Sequence, residues 1–217
     1  MSIKRNILLS LILIFGLFYV FFISMIDDSL IMLFKLIPML LIIILAFTSK
    51  EKVPRYHLLI CIGLIICAIG DYTIQWFIIG LVSFLIGHLF YITAFLGTNE
   101  QKVPSAAKGI LLLAGVIMVG VISGTLIGRG ELVLAIAVFA YVAVILTMGW
   151  TSFRTGSRFA IIGAMLFLIS DTVLALNKFI LDVPYSHQLI MFTYYGAQIF
   201  IALSITEYSA SRNKMVQ

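Results

Sequence analysis

Two aspartates lie inside long apolar stretches of this sequence, Asp71 within CAIGDYTIQW and Asp171 within FLISDTVLAL. A charged side chain at the centre of a bilayer costs about 2.5–3.5 kcal/mol on insertion scales, so such residues usually line a cavity. Two neighbouring carboxyl groups in a medium of low dielectric do not both ionise easily, so one is expected to keep its proton. Such a pair can supply the acid and the base of one hydrolysis. It could also carry protons in a transporter or cut a peptide bond, and the spacing does not decide among these.

Helical spacing places several other polar side chains on shared faces. His88 and Tyr91 are three residues apart, and Tyr194 and Gln198 are four apart, so each pair lies on one face of a helix. With a rise of about 1.5 Å per residue, most of the polar set falls in the half of the membrane opposite to the N-terminus. A cavity open to one leaflet would require this clustering.

Motifs for other kinds of site are absent from the sequence. There is no CxxC or HExxH motif, no glycine-rich phosphate loop and no N-glycosylation sequon. Cys61 and Cys67 fall in one predicted helix on different sides, and are interpreted as buried apolar residues. His88 has no companion at metal-ligand spacing. We therefore predict no metal and no cofactor.

The composition predicts that these residues are positioned by a membrane protein. Of the 217 residues, 63% are hydrophobic and 11% are charged, with a mean hydropathy of +1.20, whereas soluble domains carry about 25% charged residues. A helical span needs roughly 20 apolar residues, and continuous apolar runs favour helices over strands. The predicted fold is an all-α bundle of about eight transmembrane helices, with residues 1–217 forming a single integral membrane domain.

Charged and turn-forming clusters separate the predicted helices. The first apolar run has about 20 residues and no small-x-small cleavage site, so it is expected to be a retained helix and not a secretion signal. The predicted helices are Ile7–Ile26, Leu30–Phe47, His57–Gln75, Phe77–Leu96, Gly109–Ile127, Leu132–Phe153, Phe159–Lys178 and Leu189–Tyr208.

The distribution of lysine and arginine predicts the orientation in the membrane. With the N-terminus inside, all but three of the 14 basic residues lie on the inner side; Arg129 and Lys178 lie on the other side and Lys35 lies within a helix. Both termini are therefore expected in the cytoplasm, with the protein in the cell membrane if its source is bacterial. The same asymmetry accounts for the net charge of +5, so no nucleic-acid partner is predicted.

A weak internal repeat is visible in the sequence. Ile69-Gly70-Asp71 and Ile169-Ser170-Asp171 are 100 residues apart, and each is followed by a helix with polar and aromatic residues. Four helices per unit would give a parallel 4+4 repeat. Repeats also occur in transporters, so this feature does not select a function.

Short blocks in predicted helices three, four, seven and eight form an ordered set that is more specific than any one block. They are AIGD (68–71), GLVSF (80–84), GHLFY (87–91), GAMLFLISD (163–171), ALNKF (175–179) and TYYGAQ (193–198), with FKLIP (34–38) before them and Tyr141 between the halves. Through these blocks the sequence resembles the YhhN-like family of multi-pass membrane proteins, whose characterised animal members are lysoplasmalogenases. The resemblance runs from about residue 34 to Ser204.

The resemblance implies hydrolysis of the vinyl-ether bond of a lysoplasmalogen, or of a related lysolipid, to a fatty aldehyde and a glycerophospho-headgroup. That reaction needs a proton delivered to carbon and water added to the resulting oxocarbenium ion, which suits one protonated and one ionised carboxyl group. Asp71 and Asp171 are the expected catalytic pair, in either order, and Lys35 could meet the lipid phosphate as a point charge. The residues expected to bind substrate or orient the pair are Lys35, His88, Tyr91, Asn177, Tyr194, Tyr195 and Gln198. The expected partners are a lysophospholipid substrate and membrane lipids.

Two other functions remain open at this point. An intramembrane aspartyl protease also carries a Gly-Asp pair in a membrane helix, and it would cut proteins. A small proton-coupled transporter or a lipid-binding membrane protein would use the same aspartates for proton coupling or binding, without forming a product. The sequence does not predict the headgroup preference, the chain preference or the oligomeric state.

Overall fold

The computed structural model describes residues 3–25, 27–49, 53–98 and 101–216, and within these ranges it contains eight helices and no strand. The helices are α1 (Ile3–Phe22), α2 (Ile31–Phe47), α3 (Pro54–Thr73), α4 (Phe77–Leu96), α5 (Ser105–Gly128), α6 (Leu132–Arg154), α7 (Arg158–Phe179) and α8 (Ser186–Val216). Helix α5 includes a π-helical turn at Val119–Ser123, and α1 is followed by a 3₁₀ turn at Ile23–Met25. The predicted all-α bundle is confirmed.

Seven helices in the described ranges are long and apolar enough to cross a membrane. The eighth, α2, is an apolar helix of 17 residues that includes Lys35, and at about 1.5 Å per residue it spans roughly 25 Å. This length is at the lower end of the range for a membrane span. Pro38 lies inside α2 and is buried; it has no backbone N–H to donate, so one hydrogen bond of this helix is missing.

Close approach at glycines holds together the two helix pairs that carry the aspartates. Helix α3 packs on α4, and α7 packs on α8. These two contacts are more extensive than those of the other helix pairs. A Cβ atom added at Gly163 would lie 2.9 Å from the carbonyl oxygen of Ala197, and one added at Gly63 would lie 2.7 Å from Cδ1 of Tyr91. Small residues allow membrane helices to pack this tightly. The positions of both aspartates therefore depend on glycine contacts.

These tightly packed pairs stand four helices apart in chain order, as the predicted 4+4 repeat requires. Asp71 lies two residues before the end of α3, whereas Asp171 lies eight residues before the end of α7, so the two aspartates do not occupy equivalent positions in their helices. The parallel relation of the two halves stays a prediction.

Helix α8 brings the first and last parts of the chain together. It packs against α7 and also against α1, α2 and α3, while α4 connects this group to α6. The ends of α1, α3 and α7 and the starts of α2, α4 and α8 lie at one end of the bundle, opposite to the N-terminus. We call it the far end.

Candidate active site

A cavity of about 210 Å³ lies at the far end of the bundle. Asp71 enters it from α3 and Asp171 from α7, so the structure brings the two predicted aspartates to one cavity. The other lining side chains with polar or aromatic groups are Tyr19, Lys35, Phe84, Ser170, His187 and Tyr194.

Asp71 is held by an ammonium group and a phenol. Lys35 Nζ lies 3.6 Å from Oδ1 of Asp71 and donates a hydrogen bond of 2.9 Å to the backbone oxygen of the same residue. The hydroxyl of Tyr194 donates to Oδ2 at 2.6 Å. Only 3% of the Asp71 side chain and 12% of the Lys35 side chain are exposed. Asp71 is therefore one half of an ion pair that is largely removed from water.

The backbone of Lys35 is fixed in turn by a hydrogen bond from a tyrosine of α8. The hydroxyl of Tyr195 donates to the carbonyl oxygen of Lys35 at 2.7 Å, joining α8 to α2. Tyr194 and Tyr195 are neighbours in α8, and their rings lie 5.6 Å apart. Two adjacent tyrosines thus contact the two members of the ion pair, one through its carboxylate and the other through its backbone.

Asp171 has a different environment. The hydroxyl of Tyr141, from α6, donates to Oδ2 of Asp171 at 2.5 Å. Among the residues that the structure describes, no basic side chain lies within ion-pair distance of Asp171. The residue is 9% exposed. One aspartate therefore has a cation and a phenol beside it, and the other has a phenol alone.

A row of ring contacts through His88 connects the two tyrosines that hold the aspartates, Tyr141 and Tyr194. The His88 ring centroid lies 4.4 Å from that of Phe167 and 5.5 Å from that of Tyr141, and Phe167 in turn lies 5.5 Å from Tyr194. His88 is fully buried, and neither ring nitrogen has a hydrogen-bond partner in the described part of the chain. His88 therefore packs behind the tyrosines that hold the aspartates and does not line the cavity.

The remaining predicted residues lie around the cavity and not on its wall. Tyr91 donates to Oε1 of Gln198 at 2.7 Å, which joins α4 to α8 in the buried core. Asn177 accepts a hydrogen bond of 3.0 Å from the backbone nitrogen of Val183, and so stabilises the loop after α7. Of the nine predicted site residues, Lys35, Asp71, Asp171 and Tyr194 line the cavity.

Four residues with polar side chains at the site were not among the sequence-based site candidates. Tyr141 and Tyr19 could have been found, because a tyrosine hydroxyl within an apolar helix needs a hydrogen-bond partner, and Tyr141 also belongs to the blocks that carry the family resemblance. Ser170 and His187 carry no such signal. Ser170 donates to the backbone oxygen of Ile190 at 3.1 Å, and the rings of Tyr19 and His187 contact each other at 5.2 Å on the cavity wall.

The polar groups of the cavity wall are carboxyl, phenol, ammonium, imidazole and hydroxyl groups. In the described ranges no three His, Cys, Asp or Glu residues are grouped so that they could hold a metal ion. Cys61 and Cys67 are buried, as predicted. The arrangement is suited to proton transfer between a substrate and two carboxyl groups in different environments.

Comparison with known proteins gives one consistent group of relatives. The family model described as the YhhN family matches residues 30–205. Lysoplasmalogenase TMEM86A from Bos taurus is 36% identical over 163 residues, which are 68% of this chain and 65% of that protein, and human TMEM86A is 36% identical over 167 residues with the same shares. Lysoplasmalogenase TMEM86B from Sus scrofa is 35% identical over 150 residues, 67% of this chain and 62% of that protein. No solved structure gives a significant match.

The residues matched by the family model include nearly all of those that line the cavity. Lys35, Asp71, Asp171, Tyr194 and the loop before α8 fall inside residues 30–205, whereas α1 with Tyr19 precedes them. The chain spans about 65% of the length of the TMEM86A relatives. The apolar helices and the relatives together identify an integral, multi-pass membrane protein, and the chain belongs to the YhhN family.

Proposed function

We propose that the protein hydrolyses the vinyl-ether bond of a lysoplasmalogen, or of a closely related lysolipid, to a fatty aldehyde and a glycerophospho-headgroup. The observation that carries the proposal is the pair of carboxyl groups that line one cavity in different electrostatic environments. The relatives named lysoplasmalogenase support the substrate class. A cavity at one end of a membrane bundle suits a lipid that has a polar head and a single chain.

The two aspartates have different roles in this proposal. Asp71 acts as the carboxylate, because Lys35 places a positive charge 3.6 Å from it and a nearby opposite charge favours the ionised form. Asp171 acts as the acid, because a buried carboxyl group without a neighbouring cation is less costly to bury with its proton. Tyr141 and Tyr194 hold the two groups in place through the hydrogen bonds that they donate.

In the proposed reaction, Asp171 delivers its proton to the vinyl carbon that is farther from the ether oxygen. Positive charge then develops on the other vinyl carbon and on the ether oxygen, and the carboxylate of Asp71 stabilises this charge. Asp71 takes a proton from the water that adds to the cationic carbon. The hemiacetal formed in this way breaks down to the aldehyde and the glycerol hydroxyl, so one water is consumed and both carboxyl groups return to their starting state by proton exchange.

The other predicted residues have supporting roles in the proposal. Tyr195 positions Lys35, and His88 packs against the ring of Tyr141. Tyr195 and His88 therefore act through neighbours that touch the aspartates. Tyr91 and Gln198 stabilise the core between α4 and α8, and Asn177 stabilises the loop after α7. The main role of Lys35 in this proposal is to be the charge partner of Asp71, and contact with a lipid phosphate is secondary.

Purified protein in mild detergent is expected to release fatty aldehyde from a lysoplasmalogen, and no aldehyde from the matched 1-acyl lysophospholipid, which has an ester in place of the vinyl ether. The measurement is aldehyde release over time from both lipids. Well-folded protein that releases no aldehyde from lysoplasmalogens with any common headgroup would contradict the proposal. Proton-coupled lipid uptake in vesicles without product would then indicate a transporter, and cleavage of a membrane peptide would indicate a protease.

We further propose that residues 1–217 act as one membrane domain with both termini in the cytoplasm. Arg158 and Asp182 are exposed and lie at opposite ends of α7. In intact cells that express single-cysteine variants, a membrane-impermeant maleimide is expected to label Asp182→Cys and to leave Arg158→Cys unlabelled until the cells are opened. The reverse pattern would place the cavity at the cytoplasmic side.

A further inference from the structure

Two polar side chains on the cavity wall have hydrogen-bonding capacity that the protein does not use, Tyr19 from α1 and His187 from the start of α8. We call them the donor pair. The hydroxyl of Tyr19 has no hydrogen-bond partner in the described part of the chain. The imidazole of His187 has one polar contact there, 3.5 Å from Nε2 to the carbonyl oxygen of Tyr19. This distance is at the upper limit for a hydrogen bond, so an imidazole N–H remains available to a ligand.

The other polar side chains on the wall are already engaged within the protein. Lys35 and Tyr194 both contact the carboxylate of Asp71. Ser170 donates to a backbone oxygen of α8, and Asp171 accepts a hydrogen bond from a phenol of α6. The donor pair therefore supplies the groups of the wall that are most readily available to a ligand.

The two members of the donor pair form one unit whose chemistry suits an anion with several oxygen atoms. Their rings pack edge to face, with centroids 5.2 Å apart and an interplanar angle of 61°. A phenol O–H and an imidazole N–H are both hydrogen-bond donors. Donors that converge on one space are matched by a group that only accepts hydrogen bonds, and the non-bridging oxygens of a phosphodiester have this property.

The donor pair also lies on the correct side of the proposed acid. Ser170 donates a hydrogen bond to the backbone oxygen of Ile190, so this turn of α8 lies beside Asp171 and its neighbour. His187 precedes Ile190 by three residues, which places it about 4.5 Å nearer the far end along α8. In a lysophospholipid the glycerol unit separates the phosphate from the vinyl ether, and the phosphate is the part nearer the membrane surface.

The charges on the cavity wall allow a phosphodiester to enter. Lys35 and Asp71 are neutral as a pair, and Asp171 carries a proton in the proposed function. The single negative charge of a phosphodiester therefore meets no unpaired carboxylate on the wall. The cavity volume of about 210 Å³ has room for several waters, and a phosphate group can take their place.

We propose that the donor pair binds the phosphodiester of the lysolipid, with the hydroxyl of Tyr19 and an imidazole N–H of His187 donating to its non-bridging oxygens. The inference rests on the proposed function and assigns the headgroup end of its substrate. The phosphate is held toward the far end, so the glycerol unit reaches from it to the vinyl-ether bond beside Asp171. Tyr19 precedes the residues matched by the family model and His187 lies within them, so α1 completes this site.

The test measures binding of a lipid that the proposed reaction does not cleave, a lysophospholipid with a saturated hexadecyl ether, and of hexadecyl glycerol, which lacks the phosphate. Tyr19→Phe and His187→Phe each keep a ring and remove the donor. Each is expected to raise the Kd of the lysophospholipid about 10- to 100-fold, the usual effect of losing a hydrogen bond to a charged group, and to leave the Kd of hexadecyl glycerol unchanged. Tyr185→Phe is the matched control, because Tyr185 is exposed before α8 and should leave both Kd values unchanged.

His187→Lys separates phosphate binding from ring packing. Lysine supplies a cationic donor without a ring, so it is expected to bind the lysophospholipid nearly as tightly as the native protein. If His187→Phe binds like the native protein and His187→Lys does not, the ring only packs against Tyr19, and the proposal is overturned. Folded variants that weaken the binding of both lipids equally would overturn it as well.

Each member of the donor pair has its own variant, so one that does not fold leaves the other decisive. Aldehyde release from a lysoplasmalogen is measured separately on the native protein. Binding that depends on the donor pair, without aldehyde release, would support the phosphate site and contradict the proposed function. Aldehyde release with a Kd and a KM that depend on neither residue would contradict the phosphate site alone, so the two failures are distinguishable.

Discussion

Asp171→Asn is expected to lower the rate of aldehyde release by about 10²- to 10⁴-fold, the usual contribution of a general acid or base. Asparagine fills nearly the same volume and its side-chain oxygen can still accept the hydrogen bond from Tyr141, but it has no acidic proton to deliver to carbon. The fold should therefore persist while the chemical step is lost. The measurement is kcat with a lysoplasmalogen, with the melting temperature of the variant in the same detergent.

Asp182→Asn is the matched control. Asp182 is exposed in the loop after α7, so this variant should leave kcat unchanged.

Asp71→Asn is also expected to lose activity, and added formate should restore part of it, since a diffusible carboxylate can replace a base at neutral pH. Formate should not restore Asp171→Asn. Native activity in folded Asp171→Asn would remove Asp171 as the proton donor, and formate rescue of this variant alone would reverse the two roles.

Most of the fold could be predicted because the spans are separated by polar clusters. The predicted helix Phe77–Leu96 is α4 itself, and α2 ends at Phe47 as predicted. The errors lie at helix termini: α8 begins at Ser186, three residues before the predicted start, and continues to Val216, eight residues beyond the predicted end, and α3 begins at Pro54, three residues before its predicted start. Hydropathy detects only the apolar part of a span. Polar residues can continue the helix beyond that part, and proline is common in the first turn of a helix.

The partners of the buried aspartates could not be predicted in the same way. The sequence marks Asp71 and Asp171 equally, as charges that are costly to bury. Their partners come from other helices: Lys35 and Tyr194 are 36 and 123 positions from Asp71, and Tyr141 is 30 positions from Asp171. Which helix faces lie together depends on packing, for which one sequence gives no signal. The difference between the two aspartates therefore appears only in the folded bundle.

Lys35→Met is expected to destabilise the folded protein by about 3–5 kcal/mol, the usual effect of removing one partner of a buried ion pair. Methionine keeps most of the length of the side chain but leaves Asp71 without its cation, in a place where its side chain is 3% exposed. The activity should fall as well, because Asp71 would then hold a proton and could no longer activate water. The measurements are the melting temperature in detergent and kcat.

The double variant Lys35→Met/Asp71→Asn separates these two effects. Removing both charges should recover most of the lost stability, because neither partner is then left as an unpaired charge, while aldehyde release stays low because the base is missing. Lys108→Met is the control, since Lys108 is exposed and contacts the Trp150 ring near the start of α5, away from the cavity. If Lys35→Met instead melts like the native protein and only KM rises, Lys35 binds the lipid phosphate, and the ionised state of Asp71 does not depend on it.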